Sequence, residues 1–438
     1  VANVLLVGGG AREHAIGWAL VKNPSVRLYT AAQNHNPGLY RISTGYLQTA
    51  ETDVPGVVAW AKQQRIDLAV MGMESPLEAG MVDALEAEGI PAVGPCKSAA
   101  RIETSKSYMR GLMQRHNIAA QAGYAYFTDA GMAREYLRGT DENFALKPDG
   151  LTGGTGVRIM GEHFTTRDEA VDYARRVLSE RIGGGGLVIE ELLTGHEFTL
   201  QCFVDGTTLR PMPMARDYKR AYDGDKGPNT GSMGSYSIAG GLLPYVGQHD
   251  RDAALAVLRD IAVAMLEEGD RYRGIMYGQF MLTPAGIRLI EVNARFGDPE
   301  AMNVLTLLDS DLYEVCLAMV EGRLAETDLR FKDAATVCVY VTPRGYGENA
   351  ETGTELQIDE AAIAAQGVIP FYAKVDEIDG RILTTRSRAI GLLALADTVA
   401  EARQRVSAAL GSISGPFHAR TDIGLEAEAA SSVGSPGS

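Results

Sequence analysis

The chain has no excess of positive charge. Its 438 residues carry 41 Lys and Arg against 56 Asp and Glu, a formal net charge of −15, so the phosphates of a nucleic acid would be repelled. No apolar run reaches the length of a membrane span, and the opening VANVLLVGGG has no basic stretch ahead of its apolar residues, so it reads as a first β-strand rather than a signal peptide. Cysteine is scarce: Cys96, Cys202, Cys316 and Cys338 never approach CxxC spacing, which excludes a zinc ribbon or a disulfide framework and suits small buried hydrophobes in a reducing compartment. The histidines are equally scattered, and no Ser–His or Cys–His nucleophile signature is present. A cytoplasmic protein with neither nucleic-acid nor membrane partners is expected.

What is present is a globular composition, 45% hydrophobic with 50 glycines, and length for two to four domains. Over the first hundred residues VANVLLVG, VRLYTAA, IDLAVMG and PAVGP read as strands. Between them AREHAIGWALVKN, VPGVVAWAKQQR and PLEAGMVDALEAEG read as helices, which predicts parallel βαβ units. Ligands in such sheets lie at the carboxyl ends of the strands. After a helix containing SKSYMRGLMQRHN, residues 122–204 give short strands around one helix, TRDEAVDYARRVLSER, a small α+β lobe. Alternation over 196–214 sets Glu197, Thr199 and Gln201 on one face and Phe198, Leu200 and Cys202 on the other. A helix follows at 250–269, then a hairpin turning at Pro284-Ala285-Gly286, and from 335 the chain is β-rich again. The tail EAEAASSVGSPGS has few apolar residues and is expected to be disordered over 426–438.

Several stretches carry chemistry. KPDGLTGGTGV, 147–157, is a glycine-rich turn whose amides can cradle phosphate, or simply a tight connection. In IEVNARFGDPE, 290–300, period 2 would set Glu291, Asn293 and Arg295 on one strand face. An acid and an amide oxygen suit Mg²⁺, and the arginine supplies a fork for a carboxylate or phosphate; the plain alternative is a polar strand end. MARDYKRAYDGDKGPNTGSMGSYS, 214–237, is a long charged loop of the kind that carries function, or a mobile surface loop. VIEELLTGHEF offers acids that could grip an adenine amino group and ribose hydroxyls, or a solvated strand end. GGGAREHA falls short of GxGxxG, and VRLYTAA ends without the acid that recognises a ribose. A single phosphate held by the glycine amides and Arg12 fits better than a dinucleotide.

In this order GGGAREHA, ETSKSYM, KPDGLTGGTGV, VIEELLTGHEFT, KGPNTGSMGSYS, IEVNARFGDPE and ARTDIG resemble the glycinamide ribonucleotide synthetase family of the ATP-grasp superfamily, nearest its archaeal-type branch. The resemblance implies an α/β and α+β fold: a Rossmann-like N-terminal substrate domain (1–101), a two-lobed ATP-grasp core (102–334, small lobe about 122–193) and a small C-terminal domain (335–425). It implies an ATP-dependent ligase that joins an amino-acid carboxylate, glycine in the family, to a phosphorylated sugar amine through an acyl phosphate. The expected cofactor is Mg²⁺ or Mn²⁺, and a monomer is expected. By the same carry-over Lys106, Lys147, Gly153, Gly154, Thr155 and Gly156 hold ATP phosphates, with Glu190, Glu191 and Glu197 on adenine and ribose. Glu291 and Asn293 hold the metal, while Arg295, Lys219 and Asp217 serve the chemistry. Gly9, Gly10, Arg12, Glu13, Glu74, Asn229, Thr230, Gly297 and Asp298 meet the substrates.

The chain departs from the family pattern at Met73, Thr155, Tyr218, Ser232 and Gly347. Thr155 stands where the family has a loop lysine. Losing that charge-assisted bond is worth about 1.5–3 kcal/mol, roughly ten- to a hundredfold in rate if it acts only in the transition state. Met73, Tyr218 and Ser232 fall where the family binds substrates, which raises a second expectation, a specialised paralogue joining a different amine and carboxylate.

Overall fold

The computed structural model describes residues 1–152 and 156–433, and the side chains up to 429. The amino-terminal sheet is parallel, in the order Gly45–Gln48, Val26–Ala32, Ala2–Val7, Leu68–Met71, Ala92–Val93. Its strand order reverses between Ala2–Val7 and Leu68–Met71, so the crevice expected of such sheets lies between Gly8–Glu13 and Gly72–Glu74. Two elements here escaped the sequence reading. Pro37–Ile42 is only one and a half turns long, and Gly45–Gln48 is a half-buried edge strand without an apolar run. The helix expected over PLEAGMVDALEAEG is broken in two at Gly80, whose φ of 85° ends Glu74–Ala79 before Met81–Ala87 begins.

The small lobe is a four-stranded antiparallel sheet, Tyr124–Phe127, Leu187–Glu191, Phe144–Pro148, Arg158–Ile159. It carries two helices where one was expected. Ala130–Gly139 is capped by Asp129 and buries only Ala133 and Leu137, too thin an apolar stripe to be read from its sequence. With Arg167–Ser179 it covers one face through Leu146, Ala174, Leu187 and Ile189, leaving Lys147 and Glu190 on the other.

Opposite stands an antiparallel sheet, Leu209–Pro211, His196–Val204, Gly274–Thr283, Gly286–Asn293. Its inner face (Phe198, Leu200, Phe280, Leu289, Val292) packs on the helix Gln248–Glu267. Strict alternation would put Leu289 on the same face as Glu291 and Asn293. A register shift resolves the conflict: Phe280 faces Leu289 while Gln279 faces Glu291, so Ile290 is the extra residue of a bulge. Leu289 and Val292 therefore both stay in the core, and Glu291 and Asn293 lie beside Gln279 and Tyr277 on the opposite face.

The third layer is a sheet that mixes distant parts of the chain: Arg216–Asp217, Gly234–Ser237, Ala335–Pro343, Ile390–Ala396, Val368–Tyr372. The charged loop 214–237 thus belongs to the same sheet as the carboxy-terminal region. The tail expected to be disordered from 426 is helical over Leu425–Val433. It is ordered by long-range contacts that composition cannot report: Ala427 is buried, and Glu426 accepts from Arg216 and from the Tyr236 hydroxyl. Among the described residues no helix is long and apolar enough to cross a membrane.

The helix Ala11–Leu20 is wedged against Val368–Tyr372, and the contact is tight enough to test. His14 Nδ1 accepts from the Tyr372 amide at 2.9 Å, and a Cβ on Gly38 would fall 1.9 Å from the ring. Gly38→Ala is expected to destabilise by about 1–3 kcal/mol through overpacking. Gly139→Ala, with open space around it at the end of a helix, should be neutral or stabilising by up to about 1 kcal/mol. Denaturant midpoints of the two variants measure the contrast, and equal midpoints would refute the wedge.

Candidate active site

The cleft between the two lobes is lined by paired charges. Lys147 projects from Phe144–Pro148, and its Nζ donates to Glu190 Oε2 at 2.6 Å. The fully buried Arg110 donates to both oxygens of the same carboxylate, at 2.9 and 3.0 Å, and to the carbonyls of Leu289 and Ile290. Burial alone would push the Glu190 carboxyl up. Lys147 and Arg110 outweigh it and hold it at about 2. Glu190 is therefore fully engaged in aiming Lys147. Glu191, the next residue on the strand, turns outward and accepts from the Gly123 amide at 3.0 Å. Glu197 Oε2 accepts from Gln279 at 2.7 Å. The three acids expected on one nucleotide thus sit in three different environments.

Lys106 opens the helix Lys106–Arg115 and reaches across to the carbonyls of Gly150, at 3.0 Å, and Asp149, at 3.4 Å. Burial pulls its pKa down, while Glu291 opposes that shift. Asp149 accepts from the Ser107 amide at 2.7 Å and its hydroxyl at 2.8 Å, which ties the helix start to the strand bearing Lys147. Gly153, Gly154 and Thr155 lie outside the described residues. At Gly156, a Cβ would approach Thr152 to 2.8 Å, and the carbonyl accepts from the Tyr173 hydroxyl at 2.6 Å.

Glu291, Asn293 and Arg295 come together as the sequence pattern suggests, though Arg295 lies beyond the end of the strand. Asn293 Nδ2 donates to Glu291 Oε1 at 3.2 Å, and Arg295 Nη2 donates to Asn293 Oδ1 at 3.1 Å. Burial pushes the Glu291 carboxyl up, but Lys219 and Lys147 bring it below the usual range. Arg295 continues to Glu74 at 3.2 Å and to Glu103 at 3.0 Å. Glu103 was not singled out from the sequence, although it opens the ETSKSYM stretch. It accepts from the Ala294 amide at 2.7 Å, and burial raises its carboxyl to about 7.

At the amino-terminal turn, where the sequence suggests a single phosphate on glycine amides, a carboxylate of the chain itself takes one of those amides. The anion there is the chain's own Glu13: its Oε2 accepts from the Gly10 amide at 2.7 Å, and its Oε1 accepts from Arg12 at 2.7 Å. Gly8 and Gly72 are glycines because a Cβ on either would fall 2.5 or 2.3 Å from Glu13 Cγ. The Gly9 carbonyl accepts from Asn34 and Asn36, each at 3.0 Å. Arg12 also reaches the Phe296 carbonyl at 3.2 Å and lies 4.0 Å from Glu74. Beside this turn opens a cavity of about 710 Å³, lined by Gln33, Asn34, Gln48, Lys374 and Thr385 among others. Lys374 also went unremarked in the sequence.

On the charged loop, the half-buried Lys219 places Nζ 4.0 Å from Asp217 and 3.9 Å from Glu197. Burial pushes the Asp217 carboxyl up. Thr230 donates its amide (2.7 Å) and hydroxyl (2.9 Å) to the Lys219 carbonyl, while the exposed Asn229 only pairs with Arg220 across the hairpin. Gly297 donates its amide to Gln201 at 2.8 Å. Asp298 accepts from the Tyr340 hydroxyl and, at 2.9 Å, from Arg388, another residue that carries no local motif. Tyr218 points away from Lys219, and its hydroxyl accepts from the Gly424 amide at 3.1 Å. Ser232 holds a φ of 89°, with its hydroxyl on the carbonyls of Tyr218 and Gly234. Both departures are therefore absorbed by packing, Ser232 within the loop and Tyr218 against the carboxy-terminal segment, rather than displayed to the cleft.

The Glu190 pairing has a pH signature. Its folded pKa, about 2, lies below the ordinary 4.5, so its contribution is complete above about pH 4.5 and is lost as the pH falls toward 2. Glu190→Gln should cost about 3–5 kcal/mol at neutral pH by leaving Arg110 and Lys147 unpaired. It should also flatten the fall in stability between pH 4.5 and 2. Unfolding midpoints against pH for both proteins measure this; an unchanged acid slope in the variant counts against it.

Three models of one family match most of the chain: the phosphoribosylglycinamide synthetase N domain over residues 2–103, its ATP-grasp (A) domain over 104–301 and its C domain over 336–426. The phosphoribosylamine–glycine ligase of Methanoregula boonei is 46% identical over 424 residues, 97% of each chain. That of Methanothermobacter thermautotrophicus is 46% identical over 422 residues, 96% of each. The crystal structure of phosphoribosylamine–glycine ligase from Thermotoga maritima matches with a TM-score of 0.82 at 26% identity, covering 96% of this chain and 100% of that one. The biotin carboxylase domain of Hydrogenobacter thermophilus 2-oxoglutarate carboxylase shares the fold alone, with a TM-score of 0.73 at 16% identity over 95% of this chain and 91% of that one. With its cleft of paired lysines and acids between two antiparallel lobes, this chain belongs to the phosphoribosylglycinamide synthetase family of ATP-grasp proteins.

Proposed function

We propose that this protein is a phosphoribosylamine–glycine ligase of cytoplasmic purine biosynthesis, joining glycine to 5-phosphoribosylamine at the expense of ATP. The observation that carries the reading is the hydrogen-bonded row Glu291–Asn293–Arg295, together with Lys147, which Glu190 holds in place. A glycine carboxylate oxygen attacks the γ-phosphorus, and the bond to the β-phosphate oxygen breaks to release ADP. The amine nitrogen then attacks the carbonyl carbon of the acyl phosphate, the C–O bond to phosphate breaks, and the nitrogen loses a proton.

Such chemistry needs positioning and charge stabilisation rather than a nucleophilic side chain. Lys147, pre-aimed by Glu190, and Lys106, held only by neutral carbonyls that a phosphate displaces readily, neutralise the phosphates. Arg295 is clamped between Glu74 and Glu103, so its fork is fixed before the acyl phosphate forms. Lys219 and Asp217 face the reacting groups from the charged loop.

Glu291 and Asn293 offer hard oxygen donors suited to Mg²⁺ or Mn²⁺. Mg²⁺ and Mn²⁺ also take phosphate and water oxygens as ligands, so two protein donors are enough to anchor such an ion beside a triphosphate. Bound there, the ion would neutralise charge on the transferred phosphoryl group. The inward packing of Tyr218 and Ser232 removes the main reason for expecting a changed pair of substrates.

The test is phosphate release from Mg·ATP with glycine and freshly generated phosphoribosylamine, with the product mass read from the same reaction. Release that needs both substrates and yields their amide is expected. Lys219→Ala should lower kcat by roughly a hundredfold, the loss of one charge-assisted contact in the transition state. Tight ATP binding without that product would sink the proposal.

A further inference from the structure

The carboxy-terminal ARTDIG stretch has no place in the account so far, yet it contains a buried cation. The Arg420 side chain is 0% exposed. Its Nε and Nη2 donate to the two oxygens of Asp422, both at 2.7 Å. The remaining nitrogen, Nη1, reaches the charged loop, donating to Asp225 at 2.8 Å and to the backbone carbonyl of Arg220 at 3.0 Å. The guanidinium also stacks 4.9 Å from the centre of the Tyr218 ring. Arg420 thus grips the residues on both sides of Lys219, by ring on one side and carbonyl on the other, without touching Lys219 itself.

Neighbouring atoms repeat the pattern. The Thr421 amide donates to Asp223 at 2.9 Å, and the Gly224 amide donates to Asp422 at 2.8 Å. The loop turn is therefore strapped to a segment about 200 residues further along the chain. A surface turn held only for stability would not call for a buried arginine, since desolvating the cation is expensive unless its geometry is well satisfied. The contact instead sets the backbone from which Asp217 and Lys219 project, and small displacements of reacting groups are costly in rate.

We propose that Arg420 is a positioning residue for the ligation, acting through Lys219, so that the carboxy-terminal segment serves the chemical step rather than nucleotide binding. This rests on the role given to Lys219 above. The test uses the full-length protein and compares Arg420→Lys, the paired exposed substitutions Asp223→Asn with Asp225→Asn, Lys219→Ala, and Lys219→Ala combined with Arg420→Lys. Measured for each are kcat, KM for glycine and for phosphoribosylamine, and the Kd of Mg·ATP by calorimetry. Arg420→Lys keeps the charge but loses the fork, and should lower kcat by about 30–100-fold with the Mg·ATP Kd changed less than about threefold. In the Lys219→Ala background the same change should lower kcat by less than about threefold, because the group it positions is gone. The paired aspartate variant leaves Arg420 paired with Asp422, is not expected to unfold, and should lower kcat by about tenfold.

Multiplicative losses in the double variant, or a parallel loss of ATP affinity, would overturn the proposal in favour of a purely structural role. So would a folded aspartate variant with full kcat. Full activity in Lys219→Ala would instead overturn the role of Lys219, and the two failures are told apart by that single variant.

Discussion

Charge buried with its opposite is the constraint on which the cleft depends. A lysine ammonium or a carboxylate taken out of water alone would lose its charge, so each must bring a partner. Glu190 is held ionised by Lys147 and Arg110, and Arg110 in turn ties it to the carbonyls at 289 and 290. Those carbonyls belong to the strand that carries Glu291. A single ionic junction therefore fixes the small lobe, the helix Lys106–Arg115 and the strand bearing Glu291 relative to one another. Arg295 performs the same service on the other side, joining Asn293 to Glu74 and Glu103.

The bulge at Ile290 is what lets this strand serve two masters. Without it, Leu289 and Glu291 would share a face, and either an apolar side chain would enter the cleft or a carboxylate would enter the core. One extra residue changes the parity, and both faces become chemically uniform. On the far side of the cleft, the charged loop belongs to the carboxy-terminal sheet, so the segments lining the cleft come from every part of the chain. Closing the site is thus a consequence of completing the sheet.

Much of the site could be read from local pattern. Alternation sorted Glu197, Thr199 and Gln201 from Phe198, Leu200 and Cys202, and the structure puts the latter three in the core. The polar run from Glu291 to Arg295 meets in space as its spacing suggests. Partnership was not legible. Nothing near Glu190 announces Arg110, 80 residues away, nor does GGGAREHA reveal that Glu13 fills its own glycine turn. Glu103, Lys374 and Arg388 were overlooked for the same reason: each is an ordinary charged residue until the fold supplies its neighbour.

By itself the sequence determined the classes of element, the core face of each long strand and the types of chemical group present, because these follow from periodicity and side-chain chemistry over a few residues. Tertiary structure alone decided which acids remain free and which are consumed in ion pairs. It also decided that Tyr218 faces inward, that residues from 425 form a helix, and that Leu289 and Glu291 part company. Those outcomes turn on burial and on partners scores to hundreds of residues away, and both are properties of the packed chain rather than of any local stretch.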